Sequence, residues 1–189
     1  MDLPRGQYEI PLLIYDRLLR KHSQLTYPVL GIPDAPWVPE VFGNAMLVNG
    51  KLLPYLSVEP RTYRLRVANG SNARFYRLSL EGDVEFRMIG SDQGMLEAPV
   101  RLQRLLLAPA ERADLIVDFS KHAGQRMVLE SDSLRLMQFR VAPRSVSASG
   151  PLPLHLRSSP RLSEKHAVRV RRLTLDEHLN LADQSTGML

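Results

Sequence analysis

The chain has 189 residues, 44% of them hydrophobic, and carries 25 Lys and Arg against 20 Asp and Glu, a formal net charge of +5. It contains no cysteine, which excludes disulfides, thiolate nucleophiles, Cys-ligated zinc and blue-copper centres built on a Cys thiolate. No apolar run approaches the roughly 20 residues that a membrane-spanning helix needs, so no membrane partner is expected. The basic excess is interleaved with apolar residues and accompanied by no RNP, helix-turn-helix or zinc-finger pattern, so no nucleic-acid partner is expected either.

A chain of this length suits one ordinary domain with some excess. Its opening, Met1-Asp2-Leu3-Pro4-Arg5-Gly6, lacks the basic and apolar regions of a secretory signal; the expectation is that any such signal lies outside this chain, or that there is none. Residues 9–20 read as a mostly apolar first strand, with Pro11 near its start, where a sheet edge tolerates a missing N–H. Residues 21–40 carry Pro28, Pro33, Pro36 and Pro39 and read as a long surface excursion, with Trp37, the one tryptophan, as its apolar anchor.

Residues 42–80 carry the strongest β signal. A strand ends at Asn49-Gly50, residues that tolerate the positive φ of a tight hairpin. A short strand leads to a turn at Glu59-Pro60, and a third strand follows with strict alternation: Tyr63, Leu65 and Val67 on one face, Thr62, Arg64 and Arg66 on the other. Residues 75–80 and 86–89 form the next strands across a turn at Glu81-Gly82-Asp83. Ser91-Asp92-Gln93-Gly94 breaks the pattern. Residues 102–107 and 113–119 are strands, the latter with Leu115, Val117 and Phe119 on one face; residues 120–124 read as one helical turn ending at a glycine. Residues 126–130 and 136–141 close the set. Short strands spaced by turn signals every ten residues or so favour a Greek-key sandwich or barrel.

At Ala142 the composition changes. Residues 142–160 are rich in Pro and Ser without periodicity, as a linker is. Residues 167–175 alternate Val168, Val170 and Leu173 with arginines and read as a further strand, and Thr174-Leu175-Asp176-Glu177 has capping-box form that could start a short helix. The chain stops at Gly187-Met188-Leu189 without a closing element, as though cut.

Few residues offer chemistry. His22, His122, His155, His166 and His178 stand apart, with no His-x-His pair, and a metal site needs convergent ligands on a stiff frame; they are read as solvated. Ser91-Asp92 and Glu111-Arg112-Ala113-Asp114 are the most conspicuous polar clusters, with no histidine beside them, no Gly-x-Ser-x-Gly elbow and no phosphate-binding glycine loop. They are assigned structural roles: Asp92 and Asp114 accept backbone N–H bonds at turns, and Arg112 pairs a carboxylate. No catalytic, cofactor-binding or metal-binding residue is assigned.

Six ordered blocks then point to a family: Gly43-Asn44-Ala45-Met46-Leu47-Val48-Asn49-Gly50-Lys51, Pro54-Tyr55-Leu56-Ser57-Val58-Glu59-Pro60-Arg61, Tyr63-Arg64-Leu65-Arg66-Val67-Ala68-Asn69, Ile89-Gly90-Ser91-Asp92-Gln93-Gly94-Met95-Leu96, Leu107-Ala108-Pro109-Ala110-Glu111-Arg112-Ala113-Asp114 and Met137-Gln138-Phe139-Arg140-Val141. Together they resemble the middle cupredoxin domain of bacterial multicopper oxidases, in the spore-coat laccase and bilirubin oxidase branch. The resemblance covers residues 7–141, with a weaker match over residues 168–175.

It implies an all-β, cupredoxin-like Greek-key β-sandwich over residues 1–141, with a Pro/Ser-rich C-terminal extension over residues 142–189 that leads towards a third domain. In such oxidases the first and third domains supply the copper ligands through His-x-His pairs and a His-Cys-His motif, and the middle domain positions them. None of these motifs is present here, so no copper ligand carries over; copper belongs to the full-length family enzyme. The expected partners are the first and third cupredoxin domains, or a second copy through self-association. Two alternatives stay open: a stand-alone cupredoxin-like module that binds protein partners or itself, and a hydrolase or other enzyme whose site assembles from distant residues such as Asp92, Asp114 and His122.

Overall fold

A computed structural model describes residues 3–31, 36, 38, 40–144, 150–174, 177–179 and 185–188. Thirteen strands build the sandwich: β1 Glu9–Leu19, β2 Leu25–Thr26, β3 Ala45–Val48, β4 Lys51–Leu52, β5 Tyr55–Val58, β6 Thr62–Asn69, β7 Tyr76–Leu80, β8 Phe86–Ser91, β9 Gly94–Leu102, β10 Arg104–Leu107, β11 Arg112–Asp118, β12 Arg126–Ser131 and β13 Leu134–Val141. The first sheet runs β4-β3-β1-β6-β11-β8-β9, with β2 paired to β1, and the second runs β10-β7-β12-β13-β5. Most pairs are antiparallel; β1 with β6 and β13 with β5 are parallel. Neighbours in space that are distant in sequence are what a Greek-key connection produces, so the expected all-β sandwich is the fold found.

β6 shows why. Tyr63, Leu65 and Val67 are buried between the sheets while Thr62, Arg64 and Arg66 face outwards, as the period of two requires. β11 repeats the device with Leu115 and Val117, and Phe119 follows in the same core. An aromatic row crosses the interior: Tyr8 to Tyr63 at 5.4 Å, Tyr63 to Phe119 at 5.7 Å and Phe119 to Phe139 at 5.1 Å between centroids, in the edge-on and tilted geometries that ring quadrupoles favour. The turn at Glu59-Pro60 is pinned by the Glu59 N–H donating to the Tyr63 hydroxyl at 2.9 Å.

The hairpin at Asn49-Gly50 is present, with φ of 48° and 81°. Asn49 also bonds to β1: its Nδ2 donates to the Pro11 carbonyl at 2.9 Å and its Oδ1 accepts the Leu13 N–H at 2.8 Å. One side chain thus extends the β1–β3 ladder past the turn.

Several local readings are corrected. Residues 102–107 are not one strand: β9 ends at Leu102 in the first sheet and β10 starts at Arg104 in the second, so the chain changes layers around Gln103. Residues 91–94 are a tight turn closed by Ser91 opposite Gly94, and β9 beyond it is a strand the alternation did not show. It lies at a sheet edge, largely unburied, where Pro99 is tolerated and periodicity is weak. Residues 120–124 form consecutive turns, not a helical turn, although Gly124 takes φ of 76°. The 21–40 excursion opens with the 3-10 turn Lys21–Ser23 and contributes the two-residue β2; Trp37 lies outside the described residues.

The chain divides into two compact units, Met1–Thr26 with Glu40–Ser158, and Tyr27–Pro39 with Ser159–Leu189. In the first, residues 150–158 lie against the outer face of the first sheet. The Leu156 N–H donates to the Glu97 carbonyl at 2.7 Å, and Leu156 joins Leu3, Ile89 and Ile116 in a second apolar cluster. In the second unit, residues 167–174 carry no strand, contrary to the alternation. Glu177–Leu179, β14, pairs antiparallel with Ser185–Met188, β15, so the capping box starts no helix at Glu177; Leu175 and Asp176 lie outside the described residues.

Candidate functional site

The polar clusters resolve into structural clamps. Asp92, in the β8–β9 turn, accepts the Arg112 N–H at 2.9 Å and pairs with Arg112 Nε at 3.0 Å, fastening the turn to the start of β11. Glu111 caps its own turn, its Oε2 accepting the Ala108 N–H at 2.7 Å. Asp114 departs from the expected role: it lies within β11, not at a turn, and its Oδ1 accepts from Arg64 Nε at 2.8 Å. Glu9 Oε1 extends that outer-face network to Arg64 at 3.5 Å and Arg66 at 3.6 Å. Strand pairing explains the choice, because Asp114 stands opposite Arg66 and within reach of Arg64 on the neighbouring strand.

Among the described residues the most buried charge is one that no sequence motif marks. Asp16 is 4% exposed, and its Oδ2 accepts the Gly43 N–H at 2.7 Å and Arg74 Nε at 2.8 Å, while Arg74 Nη2 donates to the Gly43 carbonyl at 2.9 Å. The Asp16 N–H donates to Ser71 Oγ at 3.1 Å, and that hydroxyl lies 3.0 Å from the Tyr76 hydroxyl. Burial alone pushes the Asp16 carboxyl up. The bonds from Arg74, the Gly43 N–H and the Ser71 hydroxyl outweigh it and hold the carboxyl below its ordinary value. A Cβ on Gly43 would run into the backbone of Arg17, so only glycine lets this segment sit on β1. The signal was available: Asp16 shares a strand face with Leu12 and Ile14, and a carboxylate on a core face needs a cationic partner.

The histidines are placed separately. His22 stands in an exposed turn at φ 60°, His122 meets Gln125 Oε1 through Nδ1 at 2.9 Å, and His155 and His166 are exposed; His178 lies in β14. Among the described residues no three His, Asp or Glu side chains form a cradle for a metal ion. Isolated imidazoles without a thiolate do not fit a type 1 or trinuclear copper centre, and no copper-dependent step is derived for these residues. An open cleft of about 890 Å³ in the first unit is lined by His122 but by neither Asp92 nor Asp114. Those two sit at the opposite end of β11 from His122, so the assembled hydrolase site is not formed.

Comparison with known proteins adds what the geometry leaves open. The chain is 39% identical over 194 residues to a laccase of Bacillus subtilis (strain 168), covering 93% of this chain and 38% of that protein. It is 32% identical over 206 residues to multicopper oxidase LPR1 of Arabidopsis thaliana, covering 100% of this chain and 36% of that protein. In three dimensions it resembles the McoA multicopper oxidase of the hyperthermophile Aquifex aeolicus, with a TM-score of 0.77 and 32% identity over 90% of this chain and 39% of that one. The chain therefore spans under two fifths of the length of these relatives. The multicopper oxidase family pattern matches residues 28–141, and with the sandwich now described the chain belongs to the multicopper oxidase family.

Proposed function

We propose that this chain is the middle, copper-ligand-free cupredoxin domain of a laccase-like multicopper oxidase. Residues 1–141 are its scaffold domain, and residues 142–189 lead towards a third domain. The observation that carries the reading is a mismatch: strong family similarity over a fraction of the relatives' length, in a chain with no cysteine and no His-x-His pair. A blue-copper site of the usual kind needs the first and a trinuclear cluster the second. The domain's contribution in a full-length enzyme is to hold its copper-bearing neighbours in register, while oxidation of phenolic or similar substrates coupled to oxygen reduction takes place between them.

The stiff, clamped sandwich suits that task, since a scaffold positions other groups only as well as its own core is fixed. A dye-oxidation assay on the copper-loaded chain tests the reading. No turnover above free copper is expected; turnover that scales with protein and survives removal of free copper would contradict it.

A further inference from the structure

The cleft of the first unit has its own chemistry. Arg5, Arg61, Arg87, Arg101 and Lys121 line it against two acids, Glu85 and Asp118. Both acids are engaged. Glu85 Oε1 lies 3.7 Å from Arg87 Nε and 3.8 Å from Arg101 Nε, and Asp118 Oδ1 accepts the Ser120 N–H at 2.9 Å.

Arg61 differs from the other cations. Its guanidinium carbon lies 3.9 Å from the centroid of the Tyr8 ring, a stacking that orients the planar fork. Its Nε–H is buried and has no hydrogen-bond partner among the described residues. Glu59, the nearest acid in sequence, is occupied by the Tyr8 hydroxyl, which donates to its Oε2 at 2.9 Å. That nitrogen is enclosed, so the ends of the guanidinium fork, not Nε, are what a molecule in the cleft would meet. The walls supply apolar surface from Pro4, Val84 and Leu152.

We propose that the cleft binds a small organic carboxylate with a compact apolar body, anchored on Arg61. A planar carboxylate accepts two parallel N–H bonds from a guanidinium, which a tetrahedral anion matches less well and a neutral amide cannot match in charge. Lys121 adds attraction at the rim. The site is independent of copper chemistry and does not rest on the scaffold reading.

The test is calorimetric titration of the full 189-residue chain with benzoate, benzamide and inorganic phosphate at low ionic strength. Benzoate is expected to saturate a single site, with benzamide and phosphate at least about tenfold weaker. Arg61→Gln should weaken benzoate by about tenfold or more and Arg61→Lys by less, because the ammonium keeps the charge and loses the fork. Arg77→Gln, at the Asp132 ion pair on the second sheet, should leave binding unchanged. Lys121→Gln, at an exposed turn, gives a second reading if the Arg61 variants do not fold, with an expected loss of about threefold. Absence of benzoate binding, equal binding of benzamide or phosphate, or unchanged affinity in both Arg61→Gln and Lys121→Gln would overturn the proposal.

Discussion

β6 and residues 167–173 are written in nearly the same pattern and end differently. Both alternate arginine with apolar residues: Tyr63-Arg64-Leu65-Arg66-Val67 in one, Val168-Arg169-Val170-Arg171 in the other. β6 pairs with β1 on one side and β11 on the other, and Leu65 is 2% exposed. The second stretch pairs with no strand among the described residues, and Val168 is 102% exposed. Alternation therefore permits a strand without creating one. The backbone needs neighbours to take up its N–H and C=O groups, and the apolar face needs a second layer to cover it.

The largest expected break in that comparison comes from β6. Leu65→Ala should lower the unfolding free energy by about 2–5 kcal/mol, through lost burial and a residual cavity, read by denaturant titration. Next is the clamp that seats the 43–45 segment on β1. Asp16→Ala removes three hydrogen bonds to a charged group and leaves the Arg74 guanidinium without its counter-charge, for an expected loss of about 1.5–3 kcal/mol, measured the same way.

The same residue sets a pH dependence. Because the folded-state pKa of Asp16 lies below its unfolded value, its contribution is present above about pH 4 and is lost as pH falls through the folded value. Stability measured down the acid limb should fall more steeply in the parent chain than in Asp16→Asn; parallel curves would remove Asp16 as a source of acid sensitivity.

On the outer face, a double-mutant cycle of Arg64→Gln and Asp114→Asn should give a coupling of about 1 kcal/mol. The side chains are 17% and 16% exposed, less screened than a surface pair and less costly to assemble than a buried one. The smallest effect sharpens the comparison from the other side: Val168→Ala should change stability by less than about 0.5 kcal/mol. A loss comparable to that of Leu65→Ala would mean that this stretch has a partner after all.

Much of the sandwich was legible because its strands are half-buried and bounded by turn residues. β6, β11 and the Asn49-Gly50 hairpin follow from alternation and from positive-φ chemistry alone. β9 was not legible, since an edge strand with little burial leaves no period to read, and the layer change at Gln103 depends on which sheet each neighbour joins. Ile116 shows the same limit. It lies on the outward face of β11 yet is 4% exposed, covered by Leu3 and Leu156 from far along the chain. Asp92 and Arg112 were read correctly from turn chemistry, whereas Asp114 required knowledge of its strand neighbours. Arg61 carried no local signal, because what distinguishes it is the Tyr8 ring and the occupation of Glu59.

The most direct test of the scaffold assignment is copper content of the purified chain after copper loading and desalting. The account predicts copper far below one equivalent per chain and no blue absorption. One or more equivalents retained through desalting would mean that His22, His122, His155 or the histidines beyond them converge on a metal, and the scaffold assignment would fall.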